Sequence, residues 1–232
     1  MKKFFSLFTL LLFCMVSVAQ PKTVAILGDS YSTFEGSIPE GNACWYFTKN
    51  NPNNTDVNDV KQTWWWLLTE RMGWTLLINN SYSGSTICNT GYNKEDYSDR
   101  SFIRRMDNLG GNPDVILIFG ATNDSWAQAP IGEYNYPTDA SGQLDIERRD
   151  LWTFRPAMAY MLAWMKEHYA KSDIFFILND GLSDEITTSA KVICLYYGVR
   201  CIELKGIAKK AGHPSVEGMQ QIANQVEQAV KQ

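Results

Sequence analysis

Beyond residue 22 the chain alternates short apolar runs with longer stretches in which apolar residues recur at helical spacing. Residues 23–28 (TVAILG), 74–79, 114–119 (DVILIF), 173–178 (DIFFIL) and 199–204 form the first set and predict five strands. Residues 60–72 bring Trp64, Leu67, Leu68 and Met72 to one helical face, and Gly73 supplies a stop. Residues 101–109, 151–169, 184–197 and 214–230 read as the remaining helices.

Strands that lack polar alternation are covered on both faces, and a strand–helix–strand rhythm gives right-handed crossovers in a parallel sheet. The pattern therefore predicts an α/β fold: a three-layer α/β/α sandwich around a five-stranded parallel sheet, in one domain over residues 20–232. No internal repeat, low-complexity linker or composition shift marks a second domain. In such sheets ligands sit beyond the carboxyl ends of the strands. Two irregular stretches, residues 33–59 and 125–150, follow such ends and are rich in Gly, Pro, Asn and aromatics. Loops this long in a compact domain are usually functional or disordered.

Composition narrows the partners. With 45% hydrophobic and 20% charged residues the chain is globular, and a formal charge of −4 leaves no basic field for nucleic acid or an anionic membrane. The first twenty residues, MKKFFSLFTLLLFCMVSVAQ, set two lysines before an apolar run, and Ser17, Val18 and Ala19 give the small-residue pattern of a signal-peptidase site. Residues 1–19 thus read as a cleaved export signal, with the mature chain secreted or periplasmic. The run is short of the roughly 20 residues a membrane span needs, so no stable insertion is expected. Cys14 offers a lipid-anchor alternative, which the bulky Phe13 disfavours; a buried N-terminal helix is another. Cys44, Cys88, Cys194 and Cys201 would lie in an oxidising compartment, and neither their pairing nor the oligomeric state follows from sequence. No CxxC or HExxH spacing occurs, so no metal is expected, and nothing calls for an organic cofactor.

Candidate chemistry gathers at the predicted strand ends. The first stops at Gly28-Asp29-Ser30, where Gly28 would let the chain turn and Ser30 would present its hydroxyl at the carboxyl edge of the sheet. The second leads into Ser81-Tyr82-Ser83-Gly84, and the Gly84 N–H can approach a substrate closely. The third runs into Gly120-Ala121-Thr122-Asn123-Asp124, with Asn123 as a neutral side-chain donor. Gly212-His213-Pro214 opens the last predicted helix, and Pro214 at its first position would fix where His213 points. The other histidine, His168, sits among Lys166, Glu167 and Lys171 and reads as solvated surface. Singly, each piece is an ordinary turn, cap or loop. Together they supply what acyl transfer requires: a nucleophile, a base and three donors for a negative oxygen.

These residues and their order resemble the SGNH (GDSL-type) hydrolase superfamily, with Ser30 in GDS, Gly84, Asn123 in GATND and His213 in HP. The resemblance spans residues 23–230, and the absence of a GxSxG elbow argues against the larger α/β-hydrolase class. It implies a flavodoxin-like sheet of order 2-1-3-4-5 and ester hydrolysis through an acyl-enzyme. It further implies that Ser30 is the nucleophile and first oxyanion donor, Gly84 and Asn123 the other donors, and His213 the base.

One block departs. The superfamily writes its last motif DxxH, and here Lys210 stands where the Asp would be. A lysine cannot accept a hydrogen bond from imidazole, so the orienting role falls to a backbone carbonyl or to another carboxylate, with Asp180 and Glu203 the candidates. Trp45 and Trp126 are candidate substrate-binding platforms, with Tyr134 and Tyr136 nearby, since aromatics beside polar groups suit sugar rings. An exported chain of this kind resembles carbohydrate esterases that remove acetyl groups from polysaccharides. The expected function is an exported serine esterase acting on short-acyl esters, glycan O-acetyl esters foremost, with a small molecule or polysaccharide as partner. The alternatives are a weak or inactive SGNH-fold protein that binds glycan or acyl ligands, and a lipase or thioesterase. Acyl length and the alcohol stay open.

Overall fold

The computed structural model describes residues 20–49, 51–136 and 150–232. The expected export signal, with Cys14, lies outside these residues, as do positions 137–149 of the second long loop. Five strands, β1 Thr23–Gly28, β2 Thr75–Ser81, β3 Val115–Gly120, β4 Asp173–Leu178 and β5 Arg200–Glu203, form one parallel sheet in the order β2-β1-β3-β4-β5. The order reverses direction at the β1–β3 pair, and a crevice opens there beyond the carboxyl ends.

Successive strand residues face opposite sides of a sheet, so the unbroken apolar runs fill two cores. Val24, Ile26, Val115, Leu117, Phe119, Phe175 and Ile177 pack toward α1 (Trp64–Met72) and α6 (Val216–Val230). Ala25, Leu27, Ile116, Ile118, Phe176 and Leu178 pack toward α4 (Phe154–His168) and α5 (Asp184–Tyr196).

Local chemistry sets the helix ends. Thr63 caps α1, and Gly73, left-handed at φ 62°, ends it. The helix expected over 60–72 is therefore divided: Val60–Gln62 is one 3₁₀ turn capped by Asp59, and extended Thr63 separates it from α1. The helix expected over 101–109 shrinks to α2, Phe102–Arg105, capped by Ser101. Pro156 sits in the first turn of α4, where its missing N–H does no harm. Ser183 caps α5, with Asp184 and Glu185 favourably placed in its first turn. A short helix that the apolar pattern does not announce, α3 (Thr122–Trp126), follows β3.

The largest departure precedes α6. Pro214 does not begin that helix. Residues 209–214 instead form a hairpin, β6 (Lys209–Lys210) against β7 (His213–Pro214), joined by Ala211 and Gly212 with φ of 51° and 76°. Two positive φ values in a two-residue loop match the twist of paired strands. Helix α6 starts at Val216, capped by the Ser215 hydroxyl on the Gly218 N–H. The four described cysteines are free thiols, and no described helix is long and apolar enough to cross a membrane.

Candidate active site

Ser30 opens a 3₁₀ turn (Ser30–Ser32) just past β1, and the turn is capped by Asp29, whose Oδ1 accepts the Tyr31 N–H at 3.0 Å. Gly28 acts differently from the expectation. Its φ is not positive; a Cβ there would lie 2.5 Å from Ser81 Oγ and 2.7 Å from Ser32 Cβ, so close packing of the turn against the end of β2 requires glycine. The hairpin delivers His213, 183 residues away in sequence, with Nε2 2.8 Å from Ser30 Oγ. Its Nδ1 faces the Ala211 carbonyl at 3.3 Å. A carbonyl can only accept, so Nδ1 carries the proton and Nε2 accepts from the Ser30 hydroxyl.

Neither candidate carboxylate stands behind the imidazole. Asp180 accepts from the Ile207 N–H at 2.9 Å and from Lys209 Nζ at 2.5 Å, and Glu203 accepts from Lys191 Nζ at 2.8 Å. The tight hairpin turn folds the Ala211 carbonyl into the place at Nδ1, while both acids are drawn to lysines. Lys210 is exposed. The hairpin is held by two tyrosines: Tyr31 Oη donates to the Gly212 carbonyl and Tyr46 Oη to the Pro214 carbonyl, each at 2.9 Å. Trp45 stacks on the His213 ring at 3.6 Å and 13°, and Trp126 lies T-shaped to it at 5.7 Å.

Three residues with N–H groups to offer line the same space. Those of Ser30 and of Gly84, the latter at φ 85°, donate to no group among the described residues. Asn123 on α3 is oriented from both ends: Nδ2 donates to the Ser85 carbonyl at 3.0 Å, and Oδ1 accepts the Tyr92 hydroxyl at 2.9 Å. The second Nδ2 hydrogen is left for the cleft. Ser30, Gly84, Tyr92, Asn123, Trp126 and His213 all line this one cleft of about 340 Å³. A hydroxyl hydrogen-bonded to a neutral imidazole can attack a carbonyl, and N–H groups of residues lining the same cleft are the kind of donor that stabilises an oxyanion.

The GDSL-like Lipase/Acylhydrolase family matches residues 22–230. The chain belongs to this family. Like the family it is an ester-hydrolysing acylhydrolase. A structure from Bacteroides ovatus described as a GDSL-like lipase shares 50% identity and a TM-score of 0.84, covering 92% of this chain and 99% of that one. A second, from Bacteroides uniformis and described likewise, shares 50% identity and a TM-score of 0.84 over 91% and 96%. The fold extends to an acetyl xylan esterase from the rumen bacterium Butyrivibrio proteoclasticus, with 16% identity and a TM-score of 0.56 over 90% and 63%. No curated protein matches the acylhydrolase.

The electrostatics of this GDSL-like acylhydrolase follow from burial. Desolvation pushes the His213 imidazole down to about 4, helped by the charge on Lys209 and opposed by the Ala211 carbonyl, so the ring is neutral at neutral pH. Burial lifts Asp29 to about 7 and Asp124 to about 6. Asp124 accepts the Ile87 and Cys88 N–H groups and so anchors the segment beyond β2. Arg105, buried and lowered to about 9 by desolvation, donates to the carbonyls of Gly28, Asn80 and Arg100 and to Ser85 Oγ. It ties the ends of β1 and β2 to the loop that holds Asn123. Tyr134 lies under the Arg155 guanidinium at 4.3 Å and Tyr136 stacks on Tyr196 at 3.7 Å, so both pack the loop and leave the cleft to Trp45 and Trp126. Sequence reasoning missed Tyr92, Arg105 and the two hairpin tyrosines. Tyr31 adjoins the Ser30 motif, but the others have no local signal.

Proposed function

We propose that this acylhydrolase is an exported serine esterase that removes short acyl groups, acetyl esters of glycans foremost, through a Ser30–His213 dyad. The observation that carries the reading is the 2.8 Å contact between His213 Nε2 and Ser30 Oγ in a cleft that Ser30, Gly84 and Asn123 also line. In this mechanism Nε2 takes the hydroxyl proton as Oγ attacks the ester carbonyl. The N–H groups of Ser30, Gly84 and Asn123 Nδ2 receive the oxyanion. Collapse of the tetrahedral adduct expels the alcohol, which takes the proton from the imidazolium. Water, deprotonated by the same nitrogen, then releases the acid and restores Ser30. The Ala211 carbonyl holds the imidazole tautomer in place of a carboxylate.

The cleft wall favours a short acyl group. Its lining holds Trp45, Trp126 and Tyr92 but no aliphatic side chain larger than alanine, whereas a lipase or thioesterase wants an aliphatic groove. Trp126, 40% exposed at the rim, offers an open ring to a sugar. The shared fold with an acetyl xylan esterase supports the same substrate class, and the pattern of residues 1–19 supports export. The test is p-nitrophenyl ester hydrolysis over acyl lengths from two to eight carbons. Acetate is expected to be preferred, and Ser30→Ala to lower kcat at least about 10³-fold with the fold intact. Unchanged turnover in that variant would end the proposal, and a preference for octanoate would end the short-acyl reading.

A further inference from the structure

We propose that Trp45 is a positioning residue that takes over part of the missing carboxylate's work: its π face holds the His213 ring and stabilises the imidazolium formed when Ser30 gives up its proton. This rests on the serine-esterase reading.

When Nε2 takes the serine proton, the ring becomes a buried cation, and no anionic group among the described residues faces it. Among the described residues Nδ1 meets a neutral carbonyl at 3.3 Å, a long contact, and Asp180 and Glu203 are engaged by lysines. The charged group that acts on the ring, Lys209, opposes a second positive charge. Among the described residues four aromatic rings surround the imidazole. Tyr31 is tilted at 5.1 Å, Tyr46 and Trp126 lie T-shaped to it at 6.5 Å and 5.7 Å, and Trp45 is stacked face to face, at 3.6 Å and 13°. An aromatic face is negative, and Trp45 lays its face on the imidazole near-parallel and at the shortest range, so it is the ring best placed to hold the imidazolium. The attraction is weak toward neutral imidazole and full toward the cation, which is the condition for lowering a barrier rather than tightening the ground state.

The indole is placed for this by its main chain. The Trp45 N–H donates to Thr33 Oγ1 at 2.9 Å, and its carbonyl accepts Asn53 Nδ2 at 2.7 Å. The Nε1 hydrogen, by contrast, is buried without a hydrogen-bond partner among the described residues. A phenylalanine would not carry that unmet donor, and the feature tryptophan adds is the larger, more electron-rich face.

The experiment replaces Trp45, by site-specific incorporation, with mono-, di- and tetrafluorotryptophan, which drain the π face while nearly keeping its shape. Turnover of p-nitrophenyl acetate and the titration of the His213 ring by NMR are followed, the chain having only two histidines. We expect kcat to fall stepwise, about tenfold over the series (about 1.4 kcal/mol), with KM changed less than about twofold and the His213 titration moving to lower pH. The same analogues at Trp164, which stacks on the remote His168 at 3.8 Å and 9°, serve as the internal control and should leave kcat unchanged. Equal kcat and an unmoved titration across the Trp45 series overturn the inference. Labelling of Ser30 by an organophosphonate separates the two levels. If Ser30 is labelled and the series is flat, only the role of Trp45 falls. If Ser30 is not labelled, the esterase reading falls and takes this inference with it.

Discussion

Tyr92→Phe removes one hydroxyl and keeps the ring that lines the cleft. That hydroxyl lies 2.9 Å from Asn123 Oδ1, and the Ser85 carbonyl holds one Nδ2 hydrogen at 3.0 Å. Losing a whole oxyanion donor costs about 10²–10³ in kcat, which is the expectation for Asn123→Ala. Tyr92→Phe should cost less. The amide cannot simply flip, because Oδ1 would then face the Ser85 carbonyl, acceptor against acceptor. The donor survives with one of its two restraints gone, and the buried oxygen loses a partner worth roughly 1–3 kcal/mol when unmet. We expect kcat for p-nitrophenyl acetate to fall about tenfold, the lower part of that range. KM should barely move, because the donor acts on charge that exists only in the transition state. In the proposed mechanism Tyr92 acts through Asn123, so the double variant should match Asn123→Ala alone. A Tyr92→Phe enzyme within twofold of the native kcat, or losses that multiply in the double variant, would refute this reasoning.

Other outcomes follow from the same geometry. His213 must be neutral to accept a proton, and with its pKa held down to about 4 the acid limb of kcat/KM should begin below about pH 5; a limb centred on the ordinary 6.5 would contradict the burial argument. Asp29 sits at about 7 in the folded chain against 3.8 unfolded, so its contribution to stability is present below about 4 and lost as pH rises through 7. Asp29→Asn removes that loss, and its stability relative to the native chain should rise between pH 5 and pH 8 in urea unfolding; a pH-independent difference would show that the carboxyl is not protonated in the fold. Gly28→Ala forces a Cβ to within 2.5 Å of Ser81 Oγ. It should lower stability by about 1–3 kcal/mol, roughly 3–10 °C in thermal melting, and an unshifted melting point would mean the turn has room.

The strands were legible because nothing in a doubly covered strand needs to be polar, and the sandwich followed from their alternation with helices. Ser30 and Asn123 were legible for a related reason: polar residues directly after buried parallel strands have few places to go except the carboxyl edge. The structure sets His213 beside Ser30, but the hairpin that carries it is not announced by the sequence. Pro214 follows the histidine as a helix-opening proline would, whereas Ala211 adopts a positive φ that alanine seldom takes, and that single conformation makes a hairpin and turns a carbonyl toward Nδ1. Nothing local in an Ala-Gly pair announces it. Asp180 and Glu203 fit by position along the strands, but their pairing with Lys209 and Lys191 is decided by which charges the fold brings together. Trp45 was legible as a site aromatic, and its partner was not: a loop residue's ring can face a sugar or an imidazole, and only the fold decides.

The most direct test of the account is where a fluorophosphonate probe attaches, read by mass spectrometry of the digested enzyme. The dyad predicts one adduct, on the peptide carrying Ser30, formed far more slowly after His213→Ala. An adduct on another residue, or none while p-nitrophenyl acetate is still hydrolysed, would contradict it.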